Sequence, residues 1–366
     1  MEEIVENVII PAVKFLERIK PGDKVSIIHG HDNDSICSAA IIYRLLKTIY
    51  KIESNLVVSG SNSSVTEDVL DKIKKLKPNY VIIVDISDVN VSILTELRNT
   101  SQVMIIDHHV PKGYVLITYV NPRVFNKEIY LPTTYLCYKI YEKYLDTKEI
   151  LWIAGIGTLS DMGLKNCNDL FENIKSNKKE LVDNNQNIDE ILFDNSLLGK
   201  LAKIFDSARV VNGVEGSVAA LDILIKAKNY HEVLKGKSGA KKLLEWFSVA
   251  DKEFNRLIKD FEKKKKQIKK IILYEVKSRY NMKSPLATYL AKRLTSEILV
   301  IYQKSGKYID VSFRRGKVCI VDLNELAINT IKDIPDSNGG GHTQAAGCRF
   351  PPKYLNKFLR NLKLLS

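Results

Sequence analysis

Ile105-Ile106-Asp107-His108-His109 is an apolar run that ends abruptly in an acid and two adjacent histidines. Acids also follow two earlier apolar runs: Asp32 and Asp34 lie just beyond Val25-Ser26-Ile27-Ile28, and Asp85 closes the run that begins at Tyr80. Asp161 ends a later helical pattern. Taken singly, such residues are ordinary, since an Asp at a strand end more often caps a helix and a lone His is more often a satisfied polar group. Together they are not, because carboxylates brought to one edge repel one another unless cations neutralise them. Mixed carboxylate and imidazole donors suit Mn²⁺ or another hard-to-borderline divalent ion, with Mg²⁺ as a substitute, better than zinc, which more often recruits thiolates. Six or more ligands exceed the need of one ion, so two are expected. A pair about 3.5–4 Å apart activates water for in-line attack at phosphorus and stabilises the oxygen that leaves. In an extended loop Asp32 and Asp34 would point their carboxylates the same way and feed neighbouring ions, with Asp85 as the natural bridge.

Regular elements must bring these residues together. Val25 to Ile28 reads as a strand, and Ile36, Ala39, Ala40, Tyr43 and Leu46 then recur at helical spacing, with Asp34 or Ser35 suited to cap the start. The rhythm repeats through a strand at Asn55 to Gly60, a helix at Val65 to Leu76, a strand at Tyr80 to Asp85, a short helix at Ser92 to Leu97, and strands at Gln102 to Asp107 and Val115 to Val120. Ahead of them, Ile4, Val8, Ile9, Val13, Leu16 and Ile19 predict an amphipathic helix, broken by Pro11 and packed on the sheet. The alternation argues for an α/β fold: an N-terminal parallel sheet with helices on both faces. Functional side chains collect beyond the carboxyl ends of such strands.

Past the turn Asn121-Pro122-Arg123, helices are expected near Thr133 to Tyr144 and Glu149 to Ser160, then through 164–235 with a polar loop around Asn184 to Asn187. A longer helical pattern over about 240–272 has Phe254, Leu257, Ile258, Phe261, Ile268, Ile271 and Ile272 along one side and contains Lys263-Lys264-Lys265-Lys266. Such a lysine run is most often a solvated face. The texture then changes to short strands at Ile271 to Val276, Ile298 to Tyr302, Tyr308 to Phe313 and Val318 to Val321, with a helix at about 284–295, a smaller α+β module. The expected organisation is an N-terminal domain over 1–235, a helical linker over 236–270 and the α+β domain over 271–366.

The 366 residues exceed what one core usually organises. With 45% hydrophobic and 27% charged residues, neither disorder nor membrane residence is expected. Lys and Arg outnumber Asp and Glu by 56 to 43, a net charge of +13 that favours a polyanionic partner such as nucleic acid. The five cysteines, Cys37, Cys137, Cys167, Cys319 and Cys348, are scattered and never spaced as CxxC, so a reducing cytoplasm is expected rather than a disulfide framework or a zinc ribbon. No secretory leader is expected from Met1-Glu2-Glu3, and no run of eighteen apolar residues suggests a membrane span.

The second module carries its own chemistry. Gly339, Gly340 and Gly341 let backbone N–H groups approach a phosphate or base, and His342 adds a side-chain donor. On the strand from Tyr308, Ile309, Val311 and Phe313 alternate with Asp310, Ser312 and Arg314, which places Ser312 and Arg314 on one polar face. A guanidinium there can grip a phosphate in bidentate fashion.

The ordered set Asp32-Asn33-Asp34, Asp85, Asp107-His108-His109 and Asp161 resembles the four motifs of the DHH phosphoesterase superfamily. Gly339-Gly340-Gly341-His342 with Ala345-Ala346-Gly347 resembles the signature of its DHHA1 accessory domain. The resemblance implies a catalytic first domain and a substrate-binding last one. It implies Asp32 on the first ion, Asp34, His108 and Asp161 on the second, Asp85 on both, His109 against the scissile phosphate, and Asp107 orienting a histidine. Arg314 resembles the family's substrate-binding arginine. Many members place a ligand histidine two or four residues before the first acid, where this chain has Gly30 and Ile28; His29 and His31 are offset by one, and His29 is the favoured substitute.

The activity implied is that of a RecJ-like exonuclease, a metal-dependent phosphodiesterase that removes nucleotides from single-stranded DNA or RNA. NanoRNases, 3′-phosphoadenosine phosphatases and cyclic dinucleotide phosphodiesterases share the two-domain outline, so short oligonucleotides are an alternative substrate. A non-catalytic replication-fork scaffold with replication or repair partners is another alternative, against which the intact acids and histidines argue. Asp34-Ser35-Ile36-Cys37-Ser38-Ala39 also resembles the family II pyrophosphatases, but those enzymes lack the glycine-rich ending.

Overall fold

Strands buried on both faces read as unbroken apolar runs, and the runs of the N-terminal half do pair side by side. In the computed structural model, which describes residues 2–59, 64–86, 88–111, 117–182, 194–341 and 343–364, strands β1 (Val25–His29), β2 (Asn55–Val58), β3 (Tyr80–Val84), β4 (Gln102–Ile106) and β5 (Thr118–Val120) form a parallel sheet of order β2-β1-β3-β4-β5. Successive residues face opposite layers: Ile27 and Ile82 join the core beneath α1 (Glu2–Leu16), α2 (Asn33–Tyr50), α5 (Thr133–Glu142) and α6 (Leu151–Ser160). Ile28 and Ile83 join the core beneath α3 (Glu67–Leu76) and α4 (Val91–Thr100). The register pairs His29 with Val84 and Val84 with Ile106, so β1, β3 and β4 end level and the acids that follow emerge on one edge.

Local details depart from the expected ones. The first helix is not broken at Pro11 but runs through it, because burial of Val5, Val8, Ile9, Ala12, Phe15 and Leu16 outweighs the one backbone bond that proline removes. The cap of α2 is neither Asp34 nor Ser35 but Asp32, whose Oδ1 accepts the Ser35 N–H at 3.0 Å. Asp32 and Asp34 are therefore not neighbours on an extended loop; the helix starts between them. Of the strand expected at Val115 to Val120, Thr118–Val120 is formed, and residues 115 and 116, like the loop expected around Asn184 to Asn187, lie outside the described residues. Further helices of this part are α7 (Asn168–Asn177), α8 (Leu197–Lys226) and the short Tyr230–Leu234, α8 being interrupted at Gly213, whose φ of 60° only glycine adopts readily.

The chain divides into two compact units, Met1–Phe247 and Ser248–Ser366, within the long helix Ala240–Lys264. That helix is shorter than its pattern predicted. Ile268, Ile271 and Ile272 do not extend it but belong to β6 (Lys266–Ile268) and β7 (Ile271–Val276), which pair as a hairpin through Lys269 at φ 50°. The second unit is a smaller mixed sheet of order β10-β11-β9-β8-β7-β6, completed by β8 (Ile298–Ser305), β9 (Tyr308–Arg315), β10 (Asn338–Gly341) and β11 (Ala345–Phe350). Helices Lys283–Ala291, Leu323–Ile331 and Leu355–Leu364 accompany it, and Phe313, Phe350 and Phe358 fill its core. Val318 to Val321 is not a strand: Ile320 is 91% exposed, and the segment leads as an irregular loop into the Leu323–Ile331 helix. Among the described residues no helix is long and apolar enough to cross a membrane.

Candidate metal centre

Asp85 leaves β3 with φ at 56°, a left-handed conformation that non-glycine residues seldom adopt and that tends to be held at functional positions. Its N–H still bonds to Ile106 O at 2.9 Å, continuing the sheet. This bend leaves Asp85 Oδ1 3.5 Å from Nε2 of His108, which leads from the end of β4. Asp161, at the end of α6, places Oδ2 3.5 Å from the same Nε2, and Asp34 Oδ2 lies 3.9 Å from it. His109 Nδ1 is 4.0 Å from Asp85 Oδ1. Two sets of donor atoms thus converge, Asp34 with His108 and Asp161, and Asp85 with His108 and His109. Asp32 belongs to neither set, its carboxylate being turned to the start of α2.

The electrostatics are those of a site short of positive charge. Burial, then the neighbouring Asp161 charge, pushes Asp34 up to about 8. Burial and the charges of Asp34, Asp32 and Asp161 hold Asp85 well above the usual carboxylate range. Burial also depresses His108, favouring the neutral imidazole that ligates metal. Nδ1 of His108 has no hydrogen-bond partner among the described residues, and Nε2 faces the carboxylates. Oxygen donors with one or two imidazoles suit a hard-to-borderline divalent ion, so these residues fit such an ion.

Several neighbours that the motifs did not reveal hold the donors in place. Both oxygens of Asp34 accept backbone N–H bonds at the start of α5, from Thr133 at 2.9 Å and Thr134 at 2.7 Å. Asp85 accepts from Ser35 Oγ at 2.6 Å and Thr133 Oγ1 at 3.1 Å. Tyr130 Oη donates to Asp161 Oδ2 at 2.5 Å. Asn121 Nδ2 donates to His109 O at 2.9 Å and lies 3.4 Å from Asp107 Oδ2. Pro132-Thr133-Thr134 carries the signal of a helix start, but only the fold shows that its N–H groups point at Asp34.

Asp107 grips its neighbour twice, its carboxylate oxygens accepting from His109 Nδ1 at 2.8 Å and from the His109 N–H at 3.1 Å. Burial works against the charged imidazole, but the Asp107 bond and charge outweigh it and raise His109 above its ordinary value. His29 is buried with Nδ1 2.6 Å from Gly30 O, and it lines a groove with Leu56, Val57 and Lys72 rather than joining either donor set. Burial and the Arg209 charge depress His31, whose backbone oxygen accepts from Ser217 Oγ.

In the second unit Arg314 projects from β9 towards the Lys283–Ala291 helix, with Nη2 3.3 Å from Ser284 Oγ and Nε 3.4 Å from Thr288 Oγ1. Desolvation lowers it to about 10, and among the described residues it has no carboxylate partner. Lys283, missed in the sequence, carries a second cation: burial, with the Arg314 charge adding to it, lowers its pKa although Asp310 pulls the other way. A lysine in the first turn of a helix opposes the dipole, which was the available signal. Ser312 is buried on β9, opposite Gly347 of β11. Gly339, Gly340 and Gly341 form β10 against β11, and a Cβ on Gly339 would meet Cys348 and Ile331 within 3 Å, so packing explains that glycine. Gly340 is open apart from Asn324 Oδ1 at 3.5 Å from the position a Cβ would take. His342 lies outside the described residues.

A family model described as the DHH family, N-terminal domain, matches residues 24–158, and one described as the DHHA1 domain matches residues 268–365. The chain belongs to the DHH family and carries a DHHA1 domain. No curated protein matches this DHH chain. Among solved structures it is similar to RecJ from Thermus thermophilus in complex with Mn²⁺, at 15% identity and TM-score 0.71, over 97% of this chain and 54% of that one. It thus spans about half of that RecJ. It is also similar to an exonuclease RecJ bound to manganese, at 15% identity and TM-score 0.65, over 97% of this chain and 93% of the other. CDC45 from Entamoeba histolytica is 11% identical at TM-score 0.55, over 99% and 98% of the two chains. These likenesses show the shared DHH fold.

Proposed function

We propose that this chain is a divalent-metal-dependent phosphodiesterase that hydrolyses single-stranded DNA or RNA in the manner of a RecJ-like exonuclease. The convergence of Asp34, Asp85, Asp161 and His108 around one small space carries this reading. Asp34, His108 and Asp161 would hold one ion and Asp85 would serve both it and a second, to which Asp32 would contribute only by turning its carboxylate from the α2 cap. Mn²⁺, or Mg²⁺ in its place, lowers the pKa of water and offsets charge developing on phosphorus-bound oxygens. Asp107 keeps His109 oriented and cationic, so the imidazolium meets the scissile phosphate. Arg314, Lys283 and Ser312 hold a phosphate that is not cut, with Gly340 the backbone position open to a nucleotide. The net charge of +13 supports a strand longer than a dinucleotide.

End-labelled DNA and RNA oligomers from two to about thirty nucleotides, incubated with Mn²⁺, test the proposal, since thirty exceeds what one or two binding modules cover. Products shortened from one end of the long oligomers are expected. Cleavage confined to dinucleotides assigns the chain to short-oligonucleotide turnover. Hydrolysis of none, with a replication or repair protein still bound, assigns it to the scaffold class.

A further inference from the structure

Asn121 ties two things together. Its Nδ2 holds the Asp107-His108-His109 segment, and its Oδ1 accepts the backbone N–H of Arg123 at 2.9 Å across the turn Pro122–Val124. The Arg123 guanidinium then lies 5.7 Å from the ring centroid of Tyr130. Tyr130 is itself 5.2 Å from the His108 ring and donates to Asp161. Arg123 is thus anchored at its backbone to one side of the metal centre and laid, through Tyr130, against the other. Yet Nε of Arg123 is buried without a hydrogen-bond partner, and no carboxylate lies within ion-pair distance of the guanidinium among the described residues. The residue as a whole is half-buried, but a buried N–H without an acceptor is costly, and lying over a ring does not supply one. An anion would supply that acceptor, and the fork of a guanidinium matches the oxygens of a phosphate.

We infer that Arg123 binds a non-bridging oxygen of the substrate phosphate at the metal centre, as a catalytic residue in contact with the reacting group. The inference rests on the phosphodiesterase reading for its substrate, but its test does not require turnover. The full chain is titrated with inorganic phosphate by calorimetry, in Mn²⁺ and in EDTA, and the Mn²⁺-dependent component is compared among wild type, Arg123→Gln and Arg123→Lys. Subtracting the EDTA arm removes phosphate held by Arg314 and Lys283. Arg123→Gln should weaken that component by about tenfold to a hundredfold, the effect of removing one charge-assisted hydrogen bond, and Arg123→Lys should restore part of it. Mn²⁺ affinity, read from the electron paramagnetic resonance of free Mn²⁺, should change by less than about twofold, because Arg123 ligates no ion. Wild-type phosphate affinity in Arg123→Gln overturns the inference, as does the absence of any Mn²⁺-dependent component in the wild type. A parallel loss of Mn²⁺ affinity and thermal stability overturns it in favour of a purely structural stack on Tyr130. Failure to hydrolyse any oligonucleotide, with phosphate binding still dependent on Arg123, refutes the phosphodiesterase reading and leaves Arg123 as a phosphate ligand at the metal centre without the catalytic role.

Discussion

Nδ1 of His109 lies 2.8 Å from Oδ1 of Asp107, while the other oxygen of the same carboxylate receives the His109 backbone N–H. Ring and backbone are thereby fixed by one side chain that is itself buried. Replacing Asp107 by Asn keeps the shape and removes the charge. Burial, then opposed only by the charges of Asp161 and Asp32, should lower the His109 pKa relative to the wild type, which a histidine NMR titration would read directly. If His109 acts as the cation, turnover of Asp107→Asn should fall off at a lower pH than in the wild type, and the maximal rate should drop by about tenfold to a hundredfold. An unmoved His109 titration would contradict the arrangement.

Asp85 and His108 are expected to be indispensable to metal binding. Because Asp85 has a φ of 56°, Asp85→Ala would add backbone strain to the loss of charge, whereas Asn tolerates that conformation. Asp85→Asn and His108→Ala should each lower Mn²⁺ affinity by more than about a hundredfold and abolish hydrolysis, with circular dichroism unchanged; orienting neighbours alone account for that much. Full activity in either variant would sink the metal assignment.

The sheet was readable because each parallel strand is a compact apolar run, and an acid at its end had little else to do than face the sheet's edge. Helix ends and side-chain partners were not readable in this way. Asp32 and Asp34 are two residues apart, and only the position of the α2 cap decides that one bonds to its own helix while the other reaches α5. Lys266 to Ile272 keep a helical pattern of apolar residues, but pairing of β6 with β7 and of β7 with β8 drew them into strands. Thr133, Tyr130 and Asn121 bear no motif of their own, and their importance arises from separations of tens of residues in the chain.

His29 makes a prediction about stability. Burial lowers its pKa to about 4, against about 6.5 in the unfolded chain. The folded protein therefore keeps it neutral where the unfolded chain already binds a proton. Its contribution is complete above about pH 6.5 and is lost as pH falls towards 4, reaching about 3 kcal/mol there. Urea denaturation in EDTA should show the difference between wild type and His29→Gln changing by about that amount between pH 7 and pH 4. A difference independent of pH would refute the buried neutral imidazole.

Arg314 and Lys283 should govern affinity rather than metal binding. Arg314→Ala and Lys283→Ala are each expected to raise KM for an oligonucleotide by about tenfold, and to reduce the slope of log affinity against log salt by about 0.7 for each phosphate no longer neutralised. Mn²⁺ binding should be unaffected. Unchanged KM and salt dependence in both variants would remove the second unit from substrate binding.

Gly157 links packing to the metal centre. A Cβ at this position in α6 would sit 2.2 Å from Thr134 Oγ1 and 2.8 Å from its Cβ and Cγ2. Thr134 cannot retreat without cost, since its N–H binds Asp34 Oδ1 and its Oγ1 donates to Asp34 O at 2.9 Å. Gly157→Ala should therefore destabilise the fold by about 1–3 kcal/mol, the usual cost of overpacking, and weaken Mn²⁺ binding as Asp34 is displaced. Adding Thr134→Ala removes the atoms that clash while keeping the backbone N–H on Asp34. The double variant should be more stable than Gly157→Ala and should recover much of its Mn²⁺ affinity, a non-additivity expected only of residues that touch. Additive effects on both stability and metal affinity would show that Thr134 does not transmit the strain to Asp34.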